Sequence, residues 1–116
     1  MNSAKITKIS FRFGMIGSMK EKISCEEHIL MDDGIPPEVQ RMFDSDKIAE
    51  LSGKWGDSRQ GSPIQYHWAK VEIEDGKSYE FEVYNLAIMI FHSKDEKIKR
   101  LFRFLVKVER YIKNRE

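Results

Sequence analysis

Cys25 and His28 are the pair in this sequence most suggestive of chemistry, with Glu26 and Glu27 between them. A Cys-x-x-His spacing supplies two of the four ligands that structural zinc requires, and no second pair follows. If the segment is a strand, the two side chains point to opposite faces and even the pair is lost. A Cys-His nucleophile would need His67 or His92 to reach the thiol in space, and nothing in the spacing brings them there. Read as a strand, the segment puts Cys25 on its apolar face, where a free thiol behaves as a small buried hydrophobe. Asp32-Asp33, Asp44 and Asp46 lie near turns, where aspartate serves turn and cap geometry. Magnesium would need further ligands or a phosphate substrate. No glycine-rich phosphate loop, G-x-S-x-G or H-E-x-x-H occurs. The expectation is therefore a protein with no catalytic residues, no metal and no cofactor, which is to say not an enzyme.

Binding has more to work with. The stretch Gly53 to Pro63 holds three glycines and a proline around Trp55 and Arg59. Tryptophan and arginine are enriched at binding hot spots, and flanking glycines let such a loop adapt. The competing reading is that Trp55 folds back over the core edge. Tyr66, Trp68 and Lys70 alternate along one segment, and Glu80, Glu82 and Tyr84 along the next. Exposed aromatics on a sheet face suit an interface, although the same pairs are ordinary cross-strand stabilisers. Lys99, Arg100, Arg103, Lys107 and Arg110 form a secondary basic face, open to phosphates or an acidic protein or simply solvated.

These residues need elements to hold them. Ile9, Phe11, Phe13 and Met15 alternate with polar residues, which predicts a strand ending at a turn around Gly14, Gly17 and Ser18. Met19 to Met31 reads as the return strand, with Ile23, Cys25, Ile29 and Met31 on the apolar face. A helix capped by Ser18 and Glu21 is the alternative. A helix starting at Pro37, with Val39, Met42 and Phe43 on its apolar side, runs bent or broken to Gly53. Tyr66 to Tyr84 is a hairpin. A two-residue Asp75-Gly76 turn would put its two apolar sets on opposite faces, which register does not tolerate. A three-residue loop, Glu74-Asp75-Gly76, instead sets Val71 against Tyr79 and Trp68 against Glu82, with Gly76 left-handed. Leu86 to Phe91, apolar on both faces, reads as a buried strand. Ser93 and Glu96 form a capping box for a helix reaching about Asn114, striped by Ile98, Leu101, Phe102, Leu105, Val108 and Ile112. The predicted fold is α+β: an antiparallel sheet of about four strands, as two hairpins. A middle helical segment and a long C-terminal amphipathic helix pack on one face.

The bulk numbers fit one domain spanning 1–116. Hydrophobic residues make up 41% and charged residues 34% of the chain, a globular composition. Residues 21–50 hold nine acids and three bases, and residues 94–116 hold nine bases and four acids, so the net +1 hides an acidic middle and a basic end. No apolar run reaches the ~18 residues of a membrane span. With one cysteine and no apolar stretch behind the N-terminal lysines, the expected location is the cytoplasm.

The layout is similar to that of emfourin-type inhibitors of thermolysin-like metalloproteases. Phe13-Gly-Met-Ile-Gly-Ser18, the hairpin Val71 to Val83, and Leu101 to Leu105 carry the likeness. The Gly-Gly pair expected of that family is absent, because Met15 and Ile16 stand between Gly14 and Gly17. The resemblance implies an inhibitor. The combined expectation is a small non-enzymatic protein-binding module, whether inhibitor, immunity-type or regulatory factor, acting through Trp55, Arg59, Tyr66 and Trp68. One alternative is a small-ligand or nucleotide-binding protein, as an oligomer (a homodimer being the simplest) with sites between subunits, in which Trp55 stacks on the ligand and Arg59 or Arg103 takes a phosphate. The other is nucleic-acid binding through the basic helix, disfavoured by a near-neutral isoelectric point.

Overall fold

The computed structural model describes residues 5–17, 25–56, 63–92 and 94–115. Its centre is a five-stranded mixed sheet in the order β2-β1-β4-β5-β3. The strands are β1 (Ile6–Ile16), β2 (His28–Met31), β3 (Gly53–Trp55), β4 (Ile64–Ile73) and β5 (Ser78–Tyr84). Among the described residues three helices accompany them: α1 (Pro37–Ser45), α2 (Leu86–His92) and α3 (Glu96–Arg115). Short 3-10 turns span Asp32–Gly34 and Ile48–Leu51.

The β4–β5 hairpin follows from parity. Val71 faces Tyr79, Ala69 faces Phe81 and Trp68 faces Glu82, as the three-residue loop requires. The amide of Gly76 bonds the carbonyl of Ile73, and Gly76 sits at φ +91°, the conformation glycine adopts most cheaply. The central pairing is β1 with β4, where Ile9 meets Val71 and Phe11 meets Ala69. An irregularity between Ile6 and Lys8 resets the alternation, so Ile6 and Ile9 both point inward although three residues apart. The Ile6 amide donates to Gln40 Oε1 at 2.8 Å, tying the start of β1 to α1.

One face of the sheet carries the main core. Ile9, Phe11, Ala69, Val71, Phe81 and Val83 meet Val39 and Phe43 of α1, Ile48 and Leu51 of the second 3-10 turn, and Leu101, Phe104, Leu105, Val108 and Ile112 of α3. Each of these valine, leucine, isoleucine and phenylalanine side chains contributes roughly 1.5–3 kcal/mol relative to exposure. Phe104, outside the predicted stripe, lies at its centre between Phe43 and Phe81. Phe102 is only half-buried.

Several expectations are corrected. The sheet has five strands, because the first residues of the Gly53 to Pro63 loop form β3, which runs parallel to β5 and pairs Trp55 with Val83. Leu86 to Phe91 is helix rather than strand: Asn85 at φ +55° ends β5, and its carbonyl accepts the Met89 amide of α2. Gly14 is not a turn residue but pairs with Tyr66 inside β1. Of the second segment's described residues, 25–31, only His28–Met31 form a strand, and its inward residue is Leu30. Pairing with Ile9 puts Leu30 in the core, and Ile29 and Met31 face outward. Met15, at 61% exposure, also leaves the core. The proposed caps at Ser18, Glu21 and Ser93 lie outside the described residues.

Candidate functional site

The second face of the sheet is built from the other parity of each strand. Lys8, Ser10 and Arg12 on β1 pair with Glu72, Lys70 and Trp68 on β4. These in turn meet Ser78, Glu80 and Glu82 on β5, and Lys54 on β3 pairs with Glu82. A small apolar cluster of Ile16, Ile64, Tyr66 and Tyr84 fills one end, with Cys25 and Trp68 packed against it. No described helical residue belongs to that cluster.

Trp68 is the fixed point of this face. Its indole Nε1 donates to Glu80 Oε2 at 2.7 Å, and the Arg12 guanidinium stands 5.7 Å from its ring centroid. Arg12 is itself held: Nη1 donates to the Cys25 carbonyl at 2.8 Å and Nη2 to Glu27 Oε1 at 2.9 Å. Beside it, Tyr66 donates its hydroxyl to Glu82 Oε2 at 3.1 Å. Burial and the adjacent Glu82 carboxylate push the Tyr66 phenol well above its ordinary value, so it stays neutral and donating. The Lys54 ammonium lies 5.5 Å from the Tyr84 ring centroid. These contacts hold a half-exposed tryptophan and a half-exposed arginine in one arrangement.

The predicted site residues do not all meet. Tyr66 and Trp68 share the outer face. Trp55 lies on the opposite, core-bearing face, half-buried, with Nε1 donating to the Leu51 carbonyl at 2.8 Å. Arg59 lies outside the described residues. On α3, Arg100 donates to the Asp46 carbonyl at 2.6 Å, Arg103 approaches Glu96 at 3.5 Å, and Lys107 approaches Glu38 at 3.1 Å. Lys99 is half-exposed and Arg110 exposed. Three of the five predicted cations are thus engaged by the chain's own oxygens.

A second polar site lies between sheet and helix. His67, 2% exposed on the core face of β4, has Nε2 at 2.7 Å from Glu109 Oε1 on α3. Lys113 Nζ reaches the other carboxylate oxygen at 2.8 Å and sits 5.4 Å from the Phe13 ring centroid. The hydrogen bond from His67, reinforced by Lys113 against the cost of burial, holds the Glu109 carboxyl down to about 2. His67 Nδ1 is buried without a partner among the described residues. With a proton on Nε2, the ring is the donor to the Glu109 carboxylate. The adjoining cavity of about 300 Å³ is lined by Phe13, Gly14, Met15, Gln65, His67, Glu109 and Lys113. Glu109 was not foreseen. Its only signal is an acid flanking the Leu105 and Ile112 stripe of an otherwise basic helix.

Cys25 packs with the outer cluster, whereas His28 stacks on Phe13 at 5.4 Å on the core face, so the sheet separates them. Among the described residues, no three His, Cys, Asp or Glu side chains gather as metal ligands. No helix there is long and apolar enough to cross a membrane. No protein-family model matches the chain, and neither does any curated protein or solved structure.

Proposed function

We propose that the chain is a non-enzymatic protein-binding module that docks a partner on the outer face of its sheet. The observation carrying this reading is Trp68, held between Arg12 and Glu80 on the face to which no described helix contributes core. A central, pre-ordered aromatic beside an arginine is the composition of a binding hot spot. Glu80 and Glu82 give the patch an acidic side that favours a partner presenting a basic side chain next to an apolar one. Tyr66 supports the patch from beneath. Trp55, held against the core, is assigned to the scaffold rather than to the contact.

The test is a paired pull-down from native lysate at near-physiological salt, using the wild-type chain and Trp68→Ala, with co-eluting proteins identified by mass spectrometry. A stoichiometric protein retained by the wild type and lost with Trp68→Ala, while Tyr111→Ala on α3 retains it, supports the reading. Equal retention by Trp68→Ala and wild type overturns the site.

A further inference from the structure

Past Phe11 the core face of the sheet turns polar. Phe13 pairs with His67 and Met15 with Gln65 across β1 and β4, so these four side chains share that face. Glu109 and Lys113, one helical turn apart on α3, stand over them. Together they line the cavity of about 300 Å³, the room of about ten waters at ~30 Å³ each. The hydrogen-bonding capacity here is larger than the chain uses. His67 is 2% exposed, and its Nδ1 has no partner among the described residues. A buried polar atom left in this way lowers stability, and native chains tolerate one where a water or a ligand supplies the partner. Lys113 directs one of its three donors to Glu109. Gln65 accepts the Ala87 amide with Oε1, and its own amide N–H groups have no partner among the described residues.

We propose that this cavity binds a small uncharged polyhydroxyl compound, a monosaccharide or a cyclic polyol. The charge balance selects a neutral ligand. Glu109 and Lys113 neutralise each other at 2.8 Å, so an added carboxylate or amine would stand beside a charge of its own sign with no free counter-charge. The unused groups are the donors of Lys113 and Gln65 and the Nδ1 atom of His67. A hydroxyl both donates and accepts, so it satisfies Nδ1 whichever hydrogen-bonding role that nitrogen takes. Hydroxyls on the neighbouring carbons accept from Lys113 and Gln65. Phe13, already stacked on His28, and Met15 supply the apolar wall for the ligand's C–H groups. Nδ1 has essentially no accessible surface, so a hydroxyl reaches it only when the wall gives. Met15, 61% exposed, and the Lys113 side chain, 59% exposed, are the movable members of that wall. For a ligand of about twelve heavy atoms at so open a site, the Kd should lie between about 0.1 and 10 mM.

The cavity lies on the opposite side of the sheet from Trp68, so its occupation does not depend on a docked partner. The test is a nuclear magnetic resonance titration of the nitrogen-labelled full chain with D-glucose, D-galactose, D-ribose and myo-inositol, each to about 50 mM. Lactate and ethanolamine serve as charged comparators. At least one of the four polyols should move the backbone amide signals of Phe13, Gly14, Gln65 and His67 saturably, and more than those of Trp68 and Glu80. The His67 Nδ1 resonance should move with them. Lys113→Met, which keeps the alkyl stem of an exposed side chain, and Gln65→Leu should each raise that Kd about tenfold, while Lys107→Met, elsewhere on α3, leaves it unchanged. No saturable shift with any of the four overturns the proposal, and so does tighter binding of lactate or ethanolamine. Shifts centred away from the cavity, or unchanged affinity in both Lys113→Met and Gln65→Leu, overturn the site. An Nδ1 resonance that stays in place while the amides move overturns the hydroxyl contact and makes a bound water its partner.

Discussion

Glu109 Oε1 lies 2.7 Å from Nε2 of the buried His67, which fastens the C-terminal half of α3 to the middle of the sheet. A charged carboxylate at a helix–sheet junction is costly to desolvate. Here that cost is offset by the imidazole on one oxygen and Lys113 on the other.

The pair makes stability depend on acid. The Glu109 carboxyl is lowered from 4.5 to about 2 in the folded chain, chiefly by the hydrogen bond from His67. A depressed carboxyl stabilises the fold above its unfolded value and loses that contribution as pH falls through the folded one. Urea unfolding should therefore show stability declining from about pH 5 toward pH 2, with this carboxyl accounting for about 2–3 kcal/mol of the decline. Glu109→Gln keeps an acceptor near Nε2 but does not titrate. Its curve should start lower at neutral pH and lose part of the acid slope. An unchanged slope would assign the acid sensitivity to other carboxylates.

His67→Ala tests the same junction from the sheet side. It leaves the Glu109 carboxylate half-buried without its imidazole donor and opens space beside Phe11, whose ring centroid is 6.3 Å away. The expected loss is about 3 kcal/mol. His67→Gln, which can still donate to the carboxylate, should recover part of it. Equal losses in the two variants would show that packing, not the hydrogen bond, holds the junction.

Much of this architecture was legible because parity along a chain is local. The residues of β4 and β5 alone exclude a two-residue turn and fix Val71 against Tyr79, as observed. The apolar stripe of α3 is legible for the same reason. The inward face of β2 was not. Ile23, Cys25, Ile29 and Met31 offer a larger apolar set than Leu30, and only the pairing of Leu30 with Ile9 decides between them. Leu86 to Phe91 is equally suited to strand or helix by hydropathy. The positive φ of Asn85 and the capping of the Ala87 amide by Gln65 Oε1, 22 residues earlier, settle it as helix. The outer site was half legible. Tyr66, Trp68 and their cross-strand acids follow from the hairpin, but Arg12 joins them only through the β1–β4 register, and Trp55 leaves them by pairing with Val83.

The two tryptophans should separate stability from binding. Trp55 packs on the core edge and bonds the Leu51 carbonyl, so Trp55→Ala should cost about 3 kcal/mol in urea unfolding. Trp68 lies on the sheet surface, so Trp68→Ala should cost about 1 kcal/mol while removing partner retention. The opposite ranking, with Trp68→Ala the more destabilising, would make the outer tryptophan a structural residue.

Glycine substitution distinguishes the junction after β3 from the hairpin turn. Gly56 sits at φ +87°, and a Cβ there would run into the Tyr84 carbonyl and crowd Met89 Sδ at 3.1 Å. Backbone cannot yield as a flexible side chain can, so Gly56→Ala combines left-handed strain with a clash. It should lower stability by about 2–4 kcal/mol. Gly76, at φ +91° with open space around its Cβ direction, bears the strain alone, so Gly76→Ala should cost about 1 kcal/mol. Gly76→Asn should cost less still, since asparagine tolerates the left-handed region. Thermal melts of the three variants should therefore rank Gly56→Ala lowest, Gly76→Ala next and Gly76→Asn nearest wild type. If Gly56→Ala melts with Gly76→Ala, the chain after β3 can move away from Tyr84, and the packing of α2 against it is looser than the contact implies.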